Sequence, residues 1–115
     1  MPFATTFLAH GSKKESANEF FRQLVAEITN DDSVNVCFLE AGSPNLQDAL
    51  EFHVKNNAKQ IRIIPLFLAP GRHVTEDIPR MIQELRERFE GVELKLETFM
   101  GDRKDFKKLL KSLII

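Results

Sequence analysis

The chain has 115 residues, 43% apolar and 29% charged, with 16 Lys and Arg against 17 Asp and Glu for a formal charge of -1. That is the make-up of one soluble domain, residues 1–115, large enough to bury a core of its own. A charge so balanced supplies no whole-molecule field toward nucleic acid or an anionic membrane, so neither is an expected partner, and an anionic ligand must meet a local basic patch. No run of about 20 apolar residues is present to span a bilayer. The first residues lead straight into a strand-like segment and lack the basic start of a signal peptide. The single Cys37 cannot form an internal disulfide and, inside an apolar run, reads as a small core residue. A cytoplasmic protein is the expectation.

Apolar runs and helix-period segments alternate four times along the chain. Phe3 to Ala9 is a β-branched and apolar run closed by His10-Gly11-Ser12, which predicts a buried strand. Ala17, Phe20, Phe21, Leu24, Val25 and Ile28 recur at helical spacing and predict a helix over residues 13–29 with one apolar stripe toward the core. Residues 34–39 form a second strand, and Ser43-Pro44 suggests an N-cap followed by proline at the first helical position. Leu46, Ala49, Leu50 and Val54 are the core face of that helix. Residues 60–68 are the strongest strand, broken by Pro70-Gly71. Thr75 can cap a third helix with Ile78, Ile82, Leu85 and Phe89 inward, and Pro79 falls early, where a missing N–H costs least. Residues 92–99 make a fourth strand, and Phe106, Leu109, Leu110 and Leu113 mark a closing helix. The order βαβαβαβα predicts a four-stranded parallel sheet with helices on both faces.

Ligands of open α/β sheets bind outside the carboxyl ends of the strands. His10 follows the first strand, Glu40 the second and His73 the third, so all three should reach one rim. Two imidazoles and a carboxylate suit a divalent transition metal and can also take up protons near neutral pH. His53, by contrast, falls near the apolar face of the second helix, away from that rim, and reads as a structural or surface residue. Gly11 and Ser12 open the first helix, where free N–H groups could hold a carboxylate. Lys13, Lys14 and Arg72 flank the histidines, and Phe67, Leu68, Ala69 and Pro70 offer an apolar wall between them. Neither a GxGxxG nor a GxxxxGK[ST] phosphate cradle occurs, and Ser12 is not in a GxSxG elbow.

FLAHGSKKESANEF, FLEAGSPNLQDAL and IRIIPLFLAPGRHVTEDIP together resemble the small CbiX-type sirohydrochlorin chelatases, class II chelatases related to SirB and to the archaeal nickel enzyme. The likeness covers nearly the whole chain in order and spacing. It implies insertion of a divalent metal, cobalt foremost and nickel or iron otherwise, into sirohydrochlorin for the cobalamin, siroheme or F430 branch. It maps the family's two histidines to His10 in AHGS and His73 in GRHV, as metal ligands and catalytic groups, and its acidic residue to Glu40 in FLEAG. The metal is then a substrate, with no tightly bound cofactor. The short form resembles half of a longer two-domain chelatase, which makes a homodimer the expected assembly. The histidine-rich stretch of some short members is missing. Two other readings stand beside it: a non-catalytic tetrapyrrole or metal carrier with the same rim, and a regulatory α/β domain that binds a small anion, in which neither histidine would matter.

Overall fold

The structure, a computed structural model, describes residues 2–115. Its strands are β1 (Phe3–Ala9), β2 (Val34–Phe38), β3 (Gln60–Pro65) and β4 (Glu93–Leu96), and its main helices are α1 (Glu15–Ile28), α2 (Leu46–Lys55), α3 (Ile78–Arg88) and α4 (Lys104–Ser112). The sheet is wholly parallel in the order β2-β1-β3-β4. The chain moves one way from β1 to β2 and the other way from β2 to β3 and on to β4. With right-handed crossovers this puts α1 on one face and α2 and α3 on the other.

The α2/α3 face carries the core. Strand side chains alternate between faces, so Leu8, Ile61, Ile63 and Leu94 point one way. They meet Leu46, Ala49 and Leu50 of α2 and Ile78, Ile82 and Leu85 of α3, all buried. Each of the leucines and isoleucines stabilises the fold by about 1.5–3 kcal/mol relative to exposure. Cys37 lies in this cluster, and burial pushes its thiol up to about 12. No described helix is long and apolar enough to cross a membrane.

The other face departs from the sequence reading. In α1 only Asn18 and Val25 are buried, whereas Phe20 and Ile28 are 62% and 61% exposed. The helix rests on β2 through Val25 and through Arg22, whose guanidinium carbon lies 5.3 Å from the Phe38 ring centroid. Ala17 and Phe21 are half-buried, while Phe20, Leu24 and Ile28 look away from the sheet. No residue of α4 is buried, and Leu109, Leu110 and Leu113 are 55%, 48% and 68% exposed. A shallow cleft lined by Phe7, Ile64, Phe106 and Leu109 separates α4 from the strands.

Helix starts also differ. The α2 cap is Asn45, whose side chain accepts a 2.8 Å hydrogen bond from Asp48 N–H, while Ser43-Pro44 forms a cis peptide just before it. Ahead of α3 the chain makes a π-helical turn over His73–Asp77, closed by Ile78 N–H to the His73 carbonyl. Thr75 sits inside that turn, its hydroxyl donating to Gly71 O at 3.1 Å, and does not cap α3. Pro79 lacks an N–H and its ring crowds the carbonyl four residues back, which disfavours a tight α-turn here.

Of the two roles open to His53, structural or surface, burial decides for the structural one. It is 1% exposed, and its Nε2–H donates to the Thr5 carbonyl at 3.3 Å, tying α2 to β1. Burial, the larger influence, holds its pKa below the usual histidine value. The folded chain then takes up this proton less readily than the unfolded chain. The His53 contribution is thus full above about pH 6.5 and is lost as pH falls from there through the lower folded-state value. Urea midpoints measured at about pH 7.5 and about pH 5.5 should drop more for the wild type than for His53→Leu. Equal drops would remove His53 from the acid response.

Candidate metal centre

Strand register brings the rim together. Ala9 pairs with Phe38 at the end of the β1/β2 ladder, and the ladder continues past both strands. Leu39 N–H donates to Ala9 O at 2.9 Å and Glu40 N–H to His10 O at 3.0 Å. On the other side Leu8 pairs with Pro65, and Leu66 N–H reaches Leu8 O at 2.8 Å. Three chain segments leave the sheet at one level, and the switch in strand order lies between β1 and β3. His10, Glu40 and His73 converge there: one ring nitrogen of each histidine and one carboxylate oxygen of Glu40 all lie within 4.8 Å of one another.

The geometry assigns ring protons. His10 Nδ1 is 2.9 Å from Gly11 O, a contact that attracts only if Nδ1 carries the hydrogen. Nε2 then faces Glu40 Oε1 at 3.1 Å. A lone pair and a carboxylate at that distance repel unless a proton or a cation stands between them. His73 Nδ1 lies 2.8 Å from Asp77 Oδ2, and the His10 and His73 ring centroids are 5.0 Å apart. Donors around one tetrahedral first-row ion sit about 3.4 Å apart for bonds of about 2.1 Å, so small side-chain rotations would close this set on an ion. The three side chains are 46%, 58% and 43% exposed, which leaves positions open to a second ligand.

Asn18, a residue the sequence analysis does not single out, fastens two of the loops. It is 1% exposed, accepts from Ser12 N–H at 2.9 Å and donates to Ser12 O at 2.8 Å and Ala41 O at 2.9 Å. Gly11 makes the close approach feasible. Its φ is +95°, and a Cβ there would lie 1.7 Å from Glu40 O. A small amide one turn inside a helix that follows a glycine-containing loop was the only signal in the sequence.

The remaining candidate residues surround this centre unevenly. The Phe67 ring stands edge-on to His10 with centroids 6.2 Å apart, while Leu68, Ala69 and Pro70 are exposed. Lys13 and Lys14 are exposed at the entry to α1, and Arg72 pairs with Glu76 at 3.1 Å. The N–H groups expected to be free at the start of α1 are partly used: Asn18 takes that of Ser12, and Ser12 Oγ accepts from Lys14 N–H at 3.0 Å.

An open parallel α/β domain with a His–Glu–His cluster at its switch point is the class of protein that fold and site define. The chain belongs to the CbiX family, whose sequence profile matches residues 4–115. It is 34% identical over 94 residues to the sirohydrochlorin ferrochelatase of Priestia megaterium, a match covering 79% of this chain and 35% of that one. It is 26% identical over 110 residues to the sirohydrochlorin cobaltochelatase of the same organism, covering 92% and 35%. The CbiX protein of Marinobacter aquaeolei VT8 superposes with a TM-score of 0.83 at 26% identity over 97% of this chain and 93% of that one. The fold is also that of SirB from Bacillus subtilis bound to Fe3+, with a TM-score of 0.79 at 24% identity over 97% of this chain and 46% of that one. The chain thus spans about a third of the two Priestia relatives and about half of SirB.

Asn18→Ala would strand buried partners in both loops. The expected loss is about 2–3 kcal/mol of stability, at 1–3 kcal/mol for a buried polar group left unsatisfied. A denaturation midpoint within error of the wild type would show that the two loops hold without it.

Proposed function

We propose that the chain is a sirohydrochlorin chelatase that inserts a divalent metal, cobalt foremost, into the macrocycle, with His10, His73 and Glu40 as its working groups. The convergence of those three side chains on the rim carries the reading. Relatives named for both iron and cobalt insertion support it without choosing between the metals. Metalation must loosen an ion from its water, deliver it to four ring nitrogens and remove two N–H protons. His10 and His73 suit weak, open-sided holding of the ion, and Glu40 beside His10 suits proton acceptance. The ring enters edge-first between Phe67–Pro70 and the Gly11-Ser12 turn, and its carboxylates meet Lys13, Lys14 and Arg72. The metal is a substrate, no resident cofactor is required, and the protein works in the cytoplasm.

Absorbance of sirohydrochlorin titrated with cobalt, iron and nickel in turn tests this, and many metalated rings per chain are expected. One ring per chain would instead mark a carrier. His10→Ala and His73→Ala should each lower turnover by about 100-fold with the fold intact, and Glu40→Gln by about tenfold. Near-normal turnover of either histidine variant at limiting metal removes that residue from the site. Arg72→Ala or a Lys13/Lys14 double alanine variant should weaken ring binding by at most about tenfold, in a salt-dependent way. Unchanged affinity in both variants would place the ring elsewhere.

The assembly proposed is a homodimer. The exposed stripe of α4 is flanked by Lys104, Lys107, Lys108 and Lys111, and the exposed stripe of α1 by the exposed acids Glu27, Asp31 and Asp32. The two surfaces are both apolar and are flanked by opposite charges, so a two-fold pairing of α4 with the α1 of a second copy would cover both. Sedimentation at micromolar concentration should show a dimer that Leu109→Glu with Leu113→Glu turns into a folded monomer. A wild-type monomer with full turnover would overturn the pairing.

A further inference from the structure

The two histidines are backed differently at Nδ1, since the carboxylate beside His10, that of Glu40, faces its Nε2 instead. His10 is fixed by a neutral backbone carbonyl, whereas His73 Nδ1 lies 2.8 Å from a carboxylate oxygen. That carboxylate is itself held, since Arg80 Nη2 donates to its other oxygen at 3.2 Å. Both partners of the pair lie in the π-helical turn ahead of α3, and the Asp77 side chain is only 25% exposed. A neutral imidazole has one N–H and one lone pair. With the lone pair on Nδ1 it would face a carboxylate oxygen at repulsive distance, and Nε2 would have no electrons for an ion. With the hydrogen on Nδ1 the contact becomes a charge-assisted hydrogen bond, and Nε2 is the donor left for the rim.

We propose that Asp77 is a positioning residue that locks His73 as its Nδ1–H tautomer, aims Nε2 at the ion, and makes His73 the stronger of the two histidine ligands. A carboxylate behind a ligating imidazole fixes the ring and raises its donor strength, and loss of such a partner typically costs 10–100-fold in metal affinity. His10, backed by a carbonyl and facing Glu40, is the weaker donor. The ion is therefore held from the His73 side, and the His10–Glu40 side is left to exchange protons with the macrocycle. The consequence for turnover rests on the chelatase reading, but the tautomer and the affinity belong to the protein alone.

Long-range proton–nitrogen spectra of 15N-labelled, metal-free protein read the tautomer directly. The wild type should show His73 with its hydrogen on Nδ1, and Asp77→Ala should shift it toward Nε2–H. Cobalt(II) titrated without macrocycle should bind Asp77→Ala about 10–100-fold more weakly, and in turnover the KM for metal should rise while that for sirohydrochlorin stays put. Asp77→Asn keeps an oxygen acceptor of the same shape. It should retain the tautomer and recover part of the affinity, which a purely structural role would not predict. A folded Asp77→Ala protein with wild-type tautomer and wild-type cobalt affinity would overturn the inference. If the wild type binds cobalt in this way yet metalates nothing, the chelatase reading fails and the role of Asp77 stands.

Discussion

The hydrogen bond from Glu40 N–H to the His10 carbonyl is the contact on which the rim depends. It is a ladder bond made after both strands have ended, so it carries the register of β1 and β2 into their loops. A slip of one residue would turn every β2 side chain to the opposite face and move Glu40 off the line of His10. Leu8 and Cys37 lie in the core cluster on the α2/α3 side and Phe7 and Val36 on the opposite face, so a slip would take Cys37 out of that cluster. Core packing thus fixes the distance between two groups that lie half outside it.

Each of the three rim side chains comes from a different crossover, and none is locked by burial. The structure compensates with polar restraints placed just behind them. Asn18 spans the first two loops, the glycine at position 11 lets the chains touch, and Asp77 backs the third group. A rim assembled in this way is ordered at its base and accessible at its tip. Such a division suits the proposed chelatase, whose site would have to both hold and release an ion.

Much of this was legible in the sequence. Strand-and-helix alternation predicts the parallel sheet, and its carboxyl edge singles out His10, Glu40 and His73, because topology decides which loops share a rim. Periodicity misleads on α1 and α4. It shows that Phe20, Ile28 and Leu113 lie on an apolar stripe but cannot say whether this chain or another covers it. The Asn45 cap was hidden by Ser43-Pro44, since both pairs satisfy local rules and only the cis turn decides between them. Asn18 and Asp77 were invisible for a different reason. Their importance comes from what lies opposite in space, and single polar residues inside helical segments are common.

Cys37 carries a consequence for the metals themselves. Thiolate sulfur is the soft ligand that cobalt, nickel and iron ions would all compete for, and it is also what redox-active iron oxidises. Here the chain's one thiol is fully buried on β2, with its ionisation pushed up to about 12. Near neutral pH it is neither a trap for the ion nor fuel for oxidation. The fold has set apart its single thiol from the imidazole and carboxylate donors gathered at the rim.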